Sequence, residues 1–262
     1  MPIFRRAVTL SSLVWVAATR AAAAEGPTGT VVPIAVDEAL QKILILAPPT
    51  PPVAAVVMFP GGDGIIGIGE DGTIGRDGSF LIRTRAQWLR EGFLFIAVDA
   101  VPERAHQKGD RVGPANLRAI AEIVAAVRRR TAAPIWLIGT SAGAPAALAG
   151  AASLPPGSIK GVVIVSPVSV RGPRDSVFDA VLSRVGVPVL IQAHHDDACR
   201  LSPPSNAPAI KAALTAAPAV DVQVFTGGAW PRSSACEPFS QHGFLGIESQ
   251  VVDAAARWIR AH

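Results

Sequence analysis

The segment WLIGTSAGAPAALAG at residues 136–150 constrains this chain more than any other. An apolar run ends at a glycine, a serine follows two residues later, and a second glycine opens a run of small, helix-compatible residues. Gly139-Thr140-Ser141-Ala142-Gly143 is a G-x-S-x-G pattern placed between a strand and a helix. Only a sharp strand-to-helix turn satisfies that arrangement, with the serine hydroxyl raised above the sheet and glycines where two backbones pass closely.

The rest of the chain agrees with a sheet of that kind. Short apolar runs at 53–59, 93–99, 134–139, 159–166, 187–193 and 220–225 read as buried strands. Between them, 79–92, 113–130, 141–152, 206–217 and 246–261 read as helices, with Gly92 stopping the first and Pro114 in the first turn of the second. Continuous apolar strands joined by crossover helices predict an α/β fold with a mostly parallel central sheet and helices on both faces. Residues 30–46 add one or two antiparallel edge strands. About 20 residues join the strands ending at Ser166 and starting at Val187, near ordinary crossover length, so no inserted lid domain is expected.

Residues 1–24 stand apart. MPIFRR is basic, AVTLSSLVWVAA apolar and short, and TRAAAA a small-residue exit, which together describe a secretory leader, with twin-arginine export as the alternative route. The expected organisation is a leader over 1–24 and one catalytic domain over 25–262, exported and without a stable membrane span once the leader is removed. The leader carries Arg5, Arg6 and Arg20 and no acid, so the net charge of +4 becomes +1 without it. That leaves little basis for a nucleic-acid partner. Half of the 262 residues are hydrophobic and 17% are charged, ample for a full core. Two cysteines, Cys199 and Cys236, with none left over in an oxidising compartment, predict one disulfide.

Ligands of open α/β sheets bind beyond the carboxyl ends of the strands, so residues just after each strand matter most. Ser141 needs a base, and five histidines are available. His262 is terminal, His106 suits a solvated loop, and His194 and His195 follow the strand that supplies an acid, where they shape the loop or bind substrate. His242, in PFSQHGFLG after the last strand, is the base expected. The acid comes from HHDDAC, where Asp196 and Asp197 both remain open and Asp197 is favoured. The order is then Ser, Asp, His. A Cys199–Cys236 bridge would tie the acid loop to the histidine loop. Oxyanion donors are expected from the N–H of Ala142 and, in FPGGDG, from Gly62. The glycine-rich stretch after residue 60 has neither a Walker lysine nor EF-hand spacing, and no metal or cofactor is called for.

On FPGGDG, GTSAG, HHDDAC and SQHGF, residues 50–262 resemble the α/β-hydrolase superfamily, in the compact esterase and dienelactone-hydrolase-like form with little or no cap. The chain departs from the latter in having serine at the elbow instead of cysteine. It departs from esterases in having Pro60-Gly61 where their oxyanion loops begin His-Gly, which bears on the second donor. The resemblance implies cleavage of a small or extended ester, or a related acyl bond, through an acyl-enzyme. Transfer to another acceptor, and a non-catalytic binding protein on the same fold, are the alternatives. Trp230 and Phe239 either line an acyl pocket or pack under the histidine loop.

Overall fold

Eight strands form one sheet in the order β1-β2-β4-β3-β5-β6-β7-β8 in the computed structural model. The structure describes Met1 and residues 29–37, 39–101 and 104–262. The leader expected over 1–24 falls, Met1 apart, outside them. The edge hairpin is β1 (Thr30–Val36) and β2 (Ala39–Leu46), and β2 pairs antiparallel with β4 (Phe93–Val98). From β4 the sheet runs parallel through β3 (Ala54–Phe59), β5 (Ile135–Thr140), β6 (Gly161–Val165), β7 (Val189–His194) and β8 (Val220–Phe225). The central strands have no solvent face, so their sequences are continuously apolar rather than alternating.

Alternate residues of each strand feed two separate cores. Val57, Leu137 and Ile164 point to one face, packed by α3 (Pro114–Arg128), α4 (Ala144–Ser153) and α5 (Ala207–Ala213). Met58, Trp136 and Val163 point to the other, covered by α1 (Phe80–Arg83), α2 (Arg85–Arg90) and α6 (Glu248–Ala261). Each fully buried Val, Leu or Ile contributes about 1.5–3 kcal/mol relative to exposure. On α4, Ala144, Ala146, Ala147 and Ala151 are buried, and small size brings this helix close to the sheet. A Cβ on Gly150 would stand 2.9 Å from Ile120 Cγ2 of α3.

Two helices differ from expectation. The 79–92 helix breaks into α1 and α2 at Thr84, whose hydroxyl donates to the Phe80 carbonyl at 2.8 Å. A threonine bonding four residues back competes with helix continuation. The 206–217 helix stops at Ala213, because Leu214 leaves helical geometry (φ −83°, ψ 56°) with its side chain in the core. The β6–β7 connection holds only two 3-10 turns, Val177–Asp179 and Leu182–Arg184, the first closed by a Ser176/Asp179 capping box. No lid domain stands over the carboxyl ends of the strands there.

The sheet reverses direction of travel at β3, which has β4 on one side and β5 on the other. The loops after β3 and β5 therefore meet over that crevice. Their contact is backbone on backbone: a Cβ on Gly143 would lie 2.0 Å from the Phe59 carbonyl oxygen and 2.7 Å from that of Pro60. Neither carbonyl belongs to a flexible side chain. Gly143→Ala should therefore cost more than about 3 kcal/mol. Gly172→Ala, at a position with open space around it, should stay within about 0.5 kcal/mol of wild type. Urea midpoints at constant m check both.

Candidate active site

β5 ends at Thr140, and Ser141 begins a 3-10 turn that runs into α4. Ser141 has φ +52°, a region a non-glycine residue rarely occupies. Close packing holds it there. A Cβ at Gly139 would meet the Gly143 carbonyl oxygen at 2.4 Å, so both glycines of the pattern are sterically required. The Ser141 carbonyl accepts from the Val168 N–H at 3.2 Å, fixing the turn from the β6 side.

Three sequence-predicted residues are brought into one line. The Ser141 hydroxyl lies 2.9 Å from His242 Nε2, and His242 Nδ1 lies 2.8 Å from Asp197 Oδ2. His242 and Asp197 are buried, whereas Ser141 is half-buried. The second Asp197 oxygen, Oδ1, accepts from the Cys199 N–H at 2.9 Å. With Asp197 an acceptor, Nδ1 carries the proton and Nε2 offers its lone pair to the serine hydroxyl.

Asp196 faces away. It pairs with His195 Nδ1 at 2.7 Å, both side chains well exposed. The direction is set by His194, whose Nδ1 accepts from the Asp196 N–H at 3.0 Å and whose Nε2 donates to the Gly227 carbonyl at 2.9 Å. The buried His194 ring thus shapes the acid loop and ties it to the chain after β8. Cys199 and Cys236 are bonded, with Cα atoms 4.6 Å apart. By loop-closure entropy a bridge spanning 37 residues contributes about 4 kcal/mol, in a model-dependent account.

The histidine sits in a 3-10 turn, Gln241–Gly243, capped at both ends. Ser240 Oγ accepts from the His242 N–H at 3.2 Å, and Phe244 closes the turn with φ +57°. Arg83 of α1 reaches across to the Gly243 carbonyl and to Glu248 Oε1 at 3.1 Å. The Arg83 and Arg232 guanidinium groups lie 5.5 and 5.6 Å from the Phe239 ring centre, so this ring packs beside the turn. Trp230, 91% exposed, stands out into solvent.

Gly61 lies against the serine, and Gly62 follows it in the loop. A Cβ on Gly61 would come within 3.0 Å of Ser141 Cβ, while the Gly61 carbonyl accepts from the Gly64 N–H at 3.1 Å. A trans peptide sends its N–H opposite to its C=O, so the Gly62 N–H points out of that turn. It donates to no protein acceptor among the described residues. Gly62 itself has φ +61°.

Residues that sequence reasoning missed hold this loop. Asp99, buried at the end of β4, accepts from the Ile66 N–H (2.8 Å) and the Ile68 N–H (2.7 Å) through its two oxygens. Arg111, also buried, donates through Nη2 to the Gly62 carbonyl at 3.3 Å. His106, expected in a solvated loop, instead lays its ring against Gly64, where a Cβ would meet its Cδ2 at 2.6 Å. Acidic or basic residues at a strand end or in a polar loop are the usable signal, but sequence does not say which turn inward.

Burial, with the Arg111 charge second, lowers the His106 pKa from 6.5 to about 4. Between those values the unfolded chain binds the proton and the folded chain does not, so stability falls as pH drops through that window. His106→Gln should flatten the decline in Tm between pH 6.5 and 4.5. Equal slopes in variant and wild type would show that this ring is not a source of acid sensitivity.

No protein-family model matches the chain, and no curated protein matches its sequence. Solved structures do match its fold. A dienelactone hydrolase from Anabaena variabilis aligns over 90% of this chain and 98% of its own, at 18% identity and a TM-score of 0.58. An α/β serine hydrolase homologue from Coxiella burnetii aligns over 89% and 99%, at 16% identity and a TM-score of 0.61. A cold-adapted esterase from an Arctic intertidal metagenomic library aligns over 87% and 92%, at 14% identity and a TM-score of 0.60. With its strand order, its turn after β5 and these neighbours, the chain has the α/β-hydrolase fold in the compact form of dienelactone-hydrolase-like and esterase structures.

Proposed function

We propose that this protein is an exported serine hydrolase that cleaves carboxylic esters or related acyl bonds through an acyl-enzyme on Ser141. The observation that carries the reading is the hydrogen-bonded line Ser141–His242–Asp197, set over a left-handed serine at the carboxyl edge of the sheet. A buried carboxylate on one imidazole nitrogen and a serine hydroxyl on the other is an arrangement that activates a nucleophile.

In the proposed mechanism His242 Nε2 takes the Ser141 proton as Oγ bonds to the substrate carbonyl carbon. The carbonyl oxygen becomes an oxyanion facing the N–H groups of Ala142 and Gly62. The imidazolium, stabilised by Asp197, returns the proton to the leaving oxygen as its bond to carbon breaks. Water then repeats the sequence on the acyl-enzyme and releases the acid. Preorganised N–H donors in such a site are worth about 2.7–4 kcal/mol each to the transition state.

Export is supported by the Cys199–Cys236 bridge, which suits an oxidising compartment, and by the composition of residues 1–24. Among the described residues no helix is long and apolar enough to cross a membrane.

Purified protein mixed with p-nitrophenyl acetate should release a burst of about one nitrophenolate per site, followed by slower turnover. Ser141→Ala and His242→Ala should each lower kcat by at least about 1,000-fold, and a fluorophosphonate should label Ser141 alone. Undiminished turnover in Ser141→Ala would overturn the nucleophile. Intact mass of protein recovered from the export compartment should match a chain beginning near Glu25 with no free thiol. A retained leader or two titratable thiols would overturn the export reading.

A further inference from the structure

Arg111 is 4% exposed, yet its guanidinium has no ion-pair partner within 4.0 Å among the described residues. Its Nε finds no acceptor there, and its one side-chain hydrogen bond is the Nη2 donation to the Gly62 carbonyl at 3.3 Å. The buried carboxylate of Asp175 is engaged elsewhere: it accepts from the Gly109 N–H at 2.7 Å and the Arg111 N–H at 2.9 Å, and lies 3.6 Å from Lys108 Nζ. A buried, poorly compensated charge opposes folding, and an apolar side chain of similar volume would pack at no such penalty.

The surroundings fix the backbone that carries this cation. Asp175 holds the Arg111 backbone from one side, and Asn116 Nδ2 donates to the Arg111 carbonyl at 2.8 Å from the other. Gly64 leaves the room it needs: a Cβ there would stand 3.0 Å from Nη2, besides striking the His106 ring. Burial, followed by the nearby Arg174 charge, lowers the guanidinium pKa to about 10, so it stays cationic at neutral pH.

Resting on the serine-hydrolase reading above, we infer that Arg111 is the positioning residue of the oxyanion loop. Its cation holds the Gly62–Asp63 peptide through the Gly62 carbonyl, while the Gly64 N–H holds the Gly61–Gly62 peptide through the Gly61 carbonyl, so Gly62 is fixed on both sides and its N–H keeps one direction. The same charge places a positive potential behind the loop, on the side where the carbonyl oxygen of a bound ester turns negative. Arg111 touches neither substrate nor reacting atoms in this scheme. It acts through Gly62, and its effect is confined to the transition state.

The test compares Arg111→Met and Arg111→Lys with wild type, each rate divided by the number of sites titrated with a fluorophosphonate. Misfolded molecules are then not counted. Arg111→Met should lower kcat per site by about 10- to 100-fold with KM within about twofold. Arg111→Lys, which keeps the charge, should recover part of that loss. The inhibition constant of phenylboronic acid, which forms a tetrahedral anion on the serine, should rise in step with the fall in kcat. If Arg111→Met does not fold, Arg111→Lys alone should show reduced kcat with unchanged KM. Wild-type kcat per site in the folded variants, or a rise in KM alone, would overturn the inference. Failure of the wild type to be labelled or to turn over would instead overturn the serine-hydrolase reading itself.

Discussion

At Gly143 the backbone of the turn after β5 presses against the carbonyl oxygens of Phe59 and Pro60, with no room for a side chain between them. This contact joins the two loops that border the reversal of strand order. It holds Ser141 at a φ that serine would not choose, and it sets the serine against Gly61. Strain of order 1–3 kcal/mol at such a residue persists only where the surroundings over-determine it. Here they do so from three sides: the Gly139–Gly143 approach, the Val168 N–H on the serine carbonyl, and the small-residue face of α4.

Around that fixed point the rest of the site is held by polar groups that leave the sheet at different strands. Asp99 comes from β4 and clamps Ile66 and Ile68, the acid loop leaves β7, and the histidine turn follows β8. Each loop has its own fastening, in every case including a buried or half-buried hydrogen bond to backbone, with the Cys199–Cys236 bridge added at the acid loop. Such bonds fix direction as well as distance, which a contact between apolar side chains does not. Arg83 does for the histidine turn what Asp99 does for the glycine loop, reaching from α1 to the Gly243 carbonyl.

Much of this was legible in advance for a physical reason. Strands buried on both faces leave long apolar runs, and a serine between two glycines after such a run has few other structural uses. Ser141 was read from its G-x-S-x-G turn and His242 from its place after the last strand, because the ends of parallel strands share one edge. The choice between Asp196 and Asp197 was only half legible. Adjacent residues point in opposite directions, and which one turns inward depends on the His194 ring capping the Asp196 N–H, a contact sequence does not display. Asp99, His106 and Arg111 were not legible as site residues, since their partners lie 31 to 49 positions away or across a turn of unknown shape. The breaks at Thr84 and Leu214 were missed likewise, because periodicity continues through both while one hydroxyl and one buried leucine end the helix.

Chain order adds a dimension of time to this arrangement. Ser141 and its strained turn lie in the middle of the chain, whereas Asp197, Cys236 and His242 all belong to its last third, and the histidine turn leads directly into α6. A chain emerging from its N-terminus presents the serine at the end of β5 long before the imidazole that hydrogen-bonds it has been made. The hydroxyl–imidazole–carboxylate line is therefore among the last features of the molecule to be assembled. A chain cut short before Glu248–Ala261 would carry the strain at Ser141 without α6 to seat the histidine beside it. The same late segment closes one of the two cores, so the Ser141–His242–Asp197 line and that face of the sheet are completed together.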